Sequence, residues 1–256
     1  MITLHRAPWV LPISSPALAD GAVIVDEERI LAVGPYADLR LEEHDLALDH
    51  EARILMPGLV NGHCHLELSP FAHLGRQPVA PAAMTTWIAD LLALRAGEDT
   101  GHGPTPGAAL AALQADGVGL VLDIGNALLP PTGPAEGIAL HYVTELLGLS
   151  EQGTEWGLQT LAAHAAGHHF TCHAPYSTSA ALLQAVKKRA RLAGQLYPIH
   201  VAESLDEVEF LQSGQGPFRT FLEERGVWDG SFTPPATGPV HYLECLDLLD
   251  HQTLCV

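Results

Sequence analysis

At residues 57–67 the chain reads Pro57-Gly58-Leu59-Val60-Asn61-Gly62-His63-Cys64-His65-Leu66-Glu67. This apolar, strand-like run ends in two histidines that a single residue separates. On a β-strand, side chains two residues apart point to the same face, so His63 and His65 can aim both imidazoles into one cavity. Imidazole nitrogen is a suitable ligand for Zn²⁺ and its first-row neighbours. The stretch therefore predicts a metal site at the C-terminal end of a strand, as in a metallohydrolase built on a barrel.

The length of the chain limits how much of a barrel it can form. Its 256 residues are 47% hydrophobic, which is enough for a substantial core. A complete eightfold β/α barrel takes about 250 residues, and about fifty precede the His-x-His strand here, so roughly five or six β/α units remain. Either the fold is not a full barrel or the chain is a fragment. We expect a small β-module at residues 1–53 and an incomplete barrel, roughly strands one to six, at residues 54–256.

The composition excludes several classes of partner. The formal net charge is −18, and the chain has only two lysines, Lys187 and Lys188. Such a surface repels phosphate backbones, so we expect no nucleic-acid partner. No signal peptide is evident, and no apolar run approaches the roughly eighteen residues of a membrane span. The four cysteines form no CxxC pair, which favours a reducing compartment. We expect a cytoplasmic protein that acts on a small molecule.

The pattern of elements changes near residue 54. Before it, short β-rich runs lie at residues 2–10, 21–25 and 29–33, and the last two form a hairpin. After it, strand-like runs alternate with helical stretches. We predict strands at 55–65, 119–123, 138–146, 169–174, 198–202 and 253–256, and helices at 85–95, 105–115, 154–166, 179–193, 205–212 and 239–246. Repeated β-then-α order predicts a parallel sheet with right-handed crossovers.

Three of the predicted strands end in groups that fit a catalytic metal centre. In a β/α barrel, the C-terminal strand ends form the active-site face. Zinc in catalytic sites takes three protein ligands and keeps one open position, and His63, His65 and His200 are the predicted ligands. The metal would lower the pKa of its bound water toward about 7. Glu203 could then move a proton between that water and a substrate nitrogen, while His173 could orient the substrate.

Other interpretations of the same residue types stay open. In a chain with 15 histidines, a His-x-His pair can arise by chance. A lone histidine at a strand end is often a hydrogen-bonded core group. Asp123 and Glu145 also end strands, and each could either face the mouth or be structural. Cys64 lies between the two histidines, so we expect it to point to the opposite face and pack. The joint occurrence of motifs at three strand ends is what favours a site.

These motifs resemble the amidohydrolase superfamily, in particular its branch of cytosine deaminases, chlorohydrolases and adenosylhomocysteine deaminases. The similarity runs along the whole chain, and the opening hairpin at residues 20–34 is part of it. It is carried mainly by residues 57–67, by His173-Ala174-Pro175-Tyr176-Ser177 and by Ile199-His200-Val201-Ala202-Glu203-Ser204. The residues after His65 and the segment 204–218 are most similar to the aminodeoxyfutalosine-deaminase-like members.

The resemblance implies an eightfold TIM-type barrel with a composite β-sandwich made from both chain ends. It implies one Zn²⁺ or Fe²⁺ bound by His63, His65 and His200, with Glu203 as the proton shuttle and His173 in contact with the substrate. The family also has a histidine at the end of the sixth strand and a metal-binding aspartate at the end of the eighth. This chain stops inside the expected sixth strand. We therefore expect a C-terminally truncated enzyme, with a partial N-terminal β-sandwich, that is inactive by itself.

The expected function is that of a metal-dependent amidohydrolase acting on non-peptide C–N bonds. We expect a hydrolytic deaminase in which metal hydroxide attacks an aminated purine nucleoside or a related aromatic heterocycle, with Glu203 as proton shuttle. One rival is a chlorohydrolase or cyclic-amide hydrolase of the same superfamily. The other rival is a metal-free β/α binding protein without catalysis. Zn²⁺ is the expected metal with Fe²⁺ as the alternative, and a homodimer is left open.

Overall fold

The computed structural model describes residues 1–27, 29–75, 84–97 and 102–256. The chain divides into two compact units, Met1–Leu59 and Val60–Val256. The predicted domain boundary after residue 53 lies close to this division. Among the described residues, no helix combines the length and the apolar composition that crossing a bilayer requires.

The first unit is built around a five-stranded mixed sheet. Its elements are β1 (Ile2–Val10), β2 (Leu18–Asp26), β3 (Arg29–Pro35), α1 (Tyr36–Leu39), β4 (Leu46–Asp49) and β5 (Ile54–Leu55). The strand order is β3-β2-β1-β4, and β5 also pairs with β1. The antiparallel pairing of β2 with β3 confirms the predicted hairpin. Because side chains alternate between faces, the adjacent residues Val23 and Ile24 of β2 belong to different buried clusters, Ile24 with Leu4 and Val23 with Val10.

The second unit alternates strands with helices, as the sequence pattern predicts. Its strands are β6 (Leu59–Cys64), β7 (Val118–Gly125), β8 (Ala139–Leu146), β9 (Phe170–Cys172), β10 (Tyr197–Ile199) and β11 (Thr253–Cys255). Its helices are α2 (Met84–Ala96), α3 (Pro106–Ala115), α4 (Glu151–Ala163), α5 (Ala180–Ala193), α6 (Leu205–Ser213), α7 (Pro217–Glu224) and α8 (Pro239–Cys245). A 3-10 helix, Leu66–Gly75, follows β6.

The strands of this unit bring their C-terminal ends to one edge. One sheet has the order β6-β7-β8-β9, and β10 pairs with β11. The β7/β8, β8/β9 and β10/β11 pairs are parallel. Strands β9 and β10 adjoin, since the Thr171 hydroxyl donates to the Pro198 carbonyl and the His200 N–H donates to the His173 carbonyl at 3.0 Å. The parallel sheet confirms the predicted α/β class, and its strand order is consistent with an incomplete TIM-type barrel.

Several helices begin at a short polar side chain that caps them. The oxygens of Ser150, Ser179 and Ser204 each accept a hydrogen bond from a backbone N–H of the first turn. Thr105 does the same for α3, with Pro106 at the first helical position. Helix α4 begins at Glu151, three residues before its predicted start at Thr154, because Ser150 already satisfies the N–H of the first turn.

Two further features differ from the predicted pattern. The strand predicted at residues 198–202 ends at Ile199, and the chain then turns through Ala202, whose φ is 60°. The sequence pattern does not predict helix α7, which begins at Pro217 directly after Gly216. Gly216 has a φ of 91°, a conformation that favours glycine, and the fixed φ of proline suits the first helical position.

The main buried core of this unit supports the ends of β9 and β10. Val186 of α5, Ile199 of β10, Phe210 of α6 and Phe218 of α7 all belong to one buried cluster. Closely packed protein interiors resist displacement, so these helices hold the loops that follow the strands.

Candidate active site

Three imidazole rings from two distant segments meet at the strand ends. His63 Nε2 lies 3.1 Å from His65 Nε2 and 2.9 Å from His200 Nε2, and His65 Nε2 lies 3.4 Å from His200 Nε2. The same-face geometry expected of His63 and His65 is present, and His200 joins them across 137 positions of sequence. The three side chains are therefore close enough to share one ion.

The spacing of these nitrogens suits a small divalent cation. A tetrahedral Zn²⁺ about 2.0–2.1 Å from each nitrogen separates neighbouring ligand nitrogens by about 3.3 Å. Three neutral imidazoles that point their Nε2 atoms at one another cannot all be satisfied by mutual hydrogen bonds, because each neutral ring has only one N–H. A cation at their centre would engage all three lone pairs. The donor set and the spacing both fit a metal ion.

The surroundings keep these rings uncharged. Burial is the main cause that lowers the pKa of His65 to about 4 and the pKa of His200 to about 2. Burial also lowers the pKa of His63, and the nearby His173 acts in the same direction. Neutral imidazole is the form that binds a metal, so the site does not need to release protons before binding near neutral pH.

A buried carboxylate anchors the segment that carries the histidine pair. Asp123, near the end of β7, is fully buried and accepts a hydrogen bond from the Leu66 N–H at 2.7 Å. Burial raises its pKa to about 6. Cys64 points away from His63 and His65, packs at the edge of a buried cluster and lies 4.0 Å from Asp123 Oδ1. Asp123 is thus a structural anchor, and Cys64 packs as the alternation predicts.

Glu203 lies in the loop between β10 and α6, beside the three rings. Its Oε1 is 4.0 Å from His200 Nδ1. Its Oε2 accepts a hydrogen bond of 2.8 Å from the Tyr176 hydroxyl. The carboxylate is partly buried, with 19% of the side chain exposed, so a molecule in the adjoining cavity can reach it.

His173 stands next to His200 and has a defined tautomer. The two ring centroids are 5.0 Å apart. The Ser177 hydroxyl donates to the Ala174 carbonyl at 3.2 Å, so its oxygen accepts from His173 Nδ1 at 2.8 Å. His173 then carries its proton on Nδ1 and offers Nε2 as an acceptor. Burial lowers the pKa of His173, which keeps this neutral form.

A chain of polar groups lines the same cavity. Asn126 follows β7 and donates to Glu145 Oε2 at 3.1 Å, and its backbone N–H donates to Glu67 Oε2 at 3.2 Å. Arg95 of α2 pairs with Glu67 Oε1 at 3.2 Å. Burial raises the pKa of Glu145 to about 8, and its Oε1 lies 3.9 Å from His200 Nδ1. Of the two carboxyl groups left open by the sequence, Glu145 faces the site and Asp123 does not.

The site opens into a cavity of about 770 Å³. His65, His173, His200 and Glu203 line its inner end. Most of the remaining wall is apolar, with Trp87, Ile88 and Leu91 from α2 and Phe218, Phe221 and Leu222 from α7. Such a cavity suits a flat, mostly apolar molecule with a few polar contacts.

Several residues of this site have no role in the sequence-based prediction. Tyr176 and Glu67 lie inside the quoted motifs, so the sequence indicates that they are near the site. Nothing in the pattern shows which groups they contact. Arg95 and Asn126 lie outside the motifs. Only the position of Asn126 directly after a strand gives a signal, because polar groups at that edge face the site.

Comparison with known proteins points to one superfamily. A family model described as the bacterial imidazolonepropionase-like composite domain matches residues 21–41. The 5-methylthioadenosine/S-adenosylhomocysteine deaminase of Carboxydothermus hydrogenoformans is 21% identical over 277 residues, which cover 98% of this chain and 56% of that protein. The chain thus spans little more than half the length of this curated relative.

Solved structures agree. The Helicobacter pylori aminofutalosine deaminase in complex with methylthio-coformycin superimposes with a TM-score of 0.72 at 25% identity, over 99% of this chain and 63% of that one. A mutant atrazine chlorohydrolase from Arthrobacter aurescens, complexed with zinc and atraton, gives a TM-score of 0.63 at 16% identity, over 99% of this chain and 60% of that one. In sequence and in fold, this chain resembles the hydrolytic deaminases of the amidohydrolase superfamily.

Proposed function

We propose that the protein is a metal-dependent hydrolytic deaminase whose substrate is an aminated purine nucleoside or a related aromatic heterocycle. The observation that carries the proposal is the convergence of three neutral Nε2 atoms, 2.9–3.4 Å apart, beside a reachable carboxylate. The deaminase names of the relatives support the reaction class. Because the chain spans under two thirds of those relatives, the activity is proposed for the full-length protein.

His63, His65 and His200 would bind the metal. Zn²⁺ is the first choice because imidazole donors and a three-ligand set suit it, and Fe²⁺ is the alternative. When bound, such a cation supplies Lewis acidity, which brings the pKa of a water molecule toward about 7. The three rings direct their Nε2 atoms toward one point, and burial keeps the rings uncharged.

Glu203 would move the proton. One of its oxygens, Oε1, faces His200 and accepts no hydrogen bond from the described residues. A carboxylate there can take a proton from water and pass it to a ring nitrogen of the heterocycle, which prepares ammonia to leave. His173 would orient the substrate, because its free Nε2 can accept a hydrogen bond from an N–H or O–H group.

The cavity supports a heterocycle that carries a larger substituent. A purine base alone would leave much of about 770 Å³ unfilled. The apolar wall formed by α2 and α7 could cover an apolar extension, and the Glu67–Arg95 pair supplies polar contacts. A thioether nucleoside, of the kind named for the Carboxydothermus enzyme, has this combination of groups.

A chlorohydrolase or cyclic-amide hydrolase is the second candidate, because the zinc-complexed atrazine chlorohydrolase has a similar fold. The product distinguishes the candidates. A deaminase releases ammonia from 5-methylthioadenosine or adenosine, whereas a chlorohydrolase releases chloride from a triazine. A metal-free binding protein would release neither product and would purify without a stoichiometric metal.

Metal analysis tests the centre itself. We expect the purified protein to contain about one equivalent of Zn²⁺ or Fe²⁺ and His63→Ala to contain almost none, because two imidazoles are too few for a three-ligand site. His241→Ala is the control, since His241 is an exposed histidine on α8. Equal metal content in His63→Ala and in the unaltered protein would contradict the proposal.

A further inference from the structure

Two side chains outside the three-imidazole cluster contact Glu203 at two different points. Tyr176 contacts its carboxylate, and Glu207 contacts its backbone. We propose that Tyr176 and Glu207 are positioning residues that orient Glu203 so that its Oε1 faces the reacting atoms. This inference rests on the proposed function, because it concerns the orientation of the group that moves the proton.

The loop that carries Glu203 needs support. Ala202 has a left-handed φ of 60°, a conformation that is unfavourable for a residue with a side chain. Such a conformation persists only where the surrounding contacts hold it. The Glu203 N–H donates to Glu207 Oε2 at 2.8 Å, and the Glu207 N–H donates to Ser204 Oγ at 3.2 Å. These reciprocal bonds resemble a capping box and tie the loop to the first turn of α6.

Glu207 is an unusual residue to find at this position. It is fully buried, with no exposed surface, although glutamate is among the residue types that are rarely buried. Burial raises its pKa to about 7. Its side chain accepts a hydrogen bond from the backbone N–H of Glu203, the residue that would do the chemistry. Burying a carboxyl group costs free energy of desolvation. A residue that only capped the helix could do so on an exposed surface, without that cost.

Tyr176 fixes the side chain of Glu203 in the same way that Glu207 fixes its backbone. The Tyr176 hydroxyl donates to Glu203 Oε2 at 2.8 Å. The Tyr176 ring stacks on the fully buried ring of Phe218, with centroids 4.2 Å apart, so the hydroxyl has little freedom to move. Burial raises the pKa of Tyr176 above its ordinary value, and the hydroxyl therefore remains a donor at neutral pH.

The two contacts together leave one oxygen of Glu203 for chemistry. Oε2 is engaged by Tyr176, while Oε1 faces His200 Nδ1 at 4.0 Å. A general acid or base must lie within about 2.6–3.2 Å of the proton it moves, and a displacement of about 1 Å can lower a rate about a hundredfold. Loss of either contact should thus lower turnover without preventing substrate binding.

The first test removes one hydroxyl in the full-length protein. In Tyr176→Phe we expect kcat for ammonia release to fall at least about tenfold, KM to stay within about threefold and metal content to be unchanged, because the ring still packs. Tyr242→Phe is the control, since Tyr242 is a buried tyrosine of α8 outside the site. An unchanged kcat, or a loss of kcat that follows loss of metal, would overturn the inference.

The second test changes Glu207. Glu207→Gln keeps a carbonyl oxygen that can accept the Glu203 N–H, so kcat should stay within about threefold of the unaltered protein, whereas Glu207→Leu should lose about tenfold or more. If the leucine variant does not fold, Glu207→Ser supplies a shortened side chain for the same comparison. Equal activity of the glutamine and leucine or serine variants would contradict a positioning role.

Crystal structures of Tyr176→Phe and of Glu207→Leu or Glu207→Ser decide the point without any assay. A displaced or rotated Glu203 side chain would support the inference, and a Glu203 in its present position would overturn it. If the unaltered protein releases no ammonia from any heterocycle, the proposed function fails, while the position of Glu203 in these variants still decides whether Tyr176 and Glu207 orient it.

Discussion

The surroundings of His63, His65 and His200 keep all three rings neutral. Burial disfavours the charged imidazolium, and the three ring centroids lie 4.7–5.3 Å apart, so a second positive charge would be repelled. A neutral ring that carries its one proton on Nδ1 has its Nε2 lone pair available for a metal. A residue that is usually a titrating switch near neutral pH is here a fixed neutral donor.

Glu203 is the residue on which turnover should depend most. In Glu203→Gln, the side chain keeps its size and its hydrogen bond from Tyr176 but cannot accept and pass on a proton, so kcat should fall about 10²–10⁴-fold. Metal content should stay the same, because Glu203 is outside the three-imidazole cluster. Steady-state ammonia release and metal analysis check both statements.

Glu209→Gln is the matched control for that experiment. Glu209 is an exposed glutamate on α6, the helix that follows the Glu203 loop. The control should retain full turnover. A Glu203→Gln variant that is as active as Glu209→Gln would remove Glu203 from the mechanism.

At the scale of elements, the site depends on how strand ends are tied to the helices that follow them. Strand β10 carries His200 at its end, and β11 lies beside it. The turn before β11 is bound to α5 by Lys187, whose ammonium is almost fully buried and donates to Asp250 Oδ1 at 2.6 Å and to Thr253 Oγ1 at 2.7 Å. Arg191 binds the other oxygen of Asp250 at 2.7 Å.

This ion-pair network should make the stability of the fold depend on pH. Burial alone would raise the pKa of Asp250, but hydrogen bonds from Lys187 and Arg191 outweigh it and lower the pKa below its ordinary value. A carboxyl group with a lowered pKa in the folded state stabilises the protein above the ordinary pKa of about 4 and loses that contribution as the pH falls toward the folded-state value.

The Asp250→Asn substitution measures that contribution. It leaves the buried Lys187 ammonium without its carboxylate, so the free energy of unfolding at pH 7 should fall by about 3 kcal/mol. The difference from the unaltered protein should narrow as the pH is lowered below about 4. Urea unfolding at a series of pH values is the measurement. Asp247→Asn is the control, because Asp247 is 83% exposed and its pair with Arg191 should matter little. A difference that is independent of pH would exclude this explanation.

For the whole molecule, metal binding should be visible as stability. A ligand that binds only the folded state at a hundred times its Kd adds about 2.7 kcal/mol, and in a protein of this size that corresponds to a rise in Tm of about 5–10 °C. We expect this rise on adding Zn²⁺ to protein stripped with a chelator, and its loss in His63→Ala. A stripped protein whose Tm does not respond to Zn²⁺ or Fe²⁺ would argue for the metal-free alternative.

Homodimer formation, and the share of the activity that residues 1–256 carry by themselves, also belong to the whole molecule. Both stay predictions. Sedimentation of the full-length protein would measure the first, and ammonia release by residues 1–256 compared with the full-length protein would measure how much of the activity this chain carries.

Local geometry explains what could be predicted from the sequence. A strand has a period of two residues, so His63 and His65 share a face wherever that strand lies. The hairpin of β2 and β3 and the cap at Thr105 follow from neighbours in the chain, and all are present. Likewise the alternation of strand and helix predicts a parallel sheet, because parallel neighbours need a crossover of about a dozen residues or more, which an α-helix supplies.

Only the tertiary structure decided which strand-end groups meet. Asp123 and Glu145 occupy similar places in the sequence, yet one binds the Leu66 backbone and the other faces the cavity. His200 reaches His63 across 137 positions, and Tyr176 reaches Glu203 across 27. Contacts of this kind depend on strand order, on the turn at Ala202 and on the packing of α7 beneath Tyr176. The sequence by itself determined the residue types and the strand or helix face on which each lies. Long-range packing decided which of these side chains come together, and a local periodicity in the sequence cannot predict such packing.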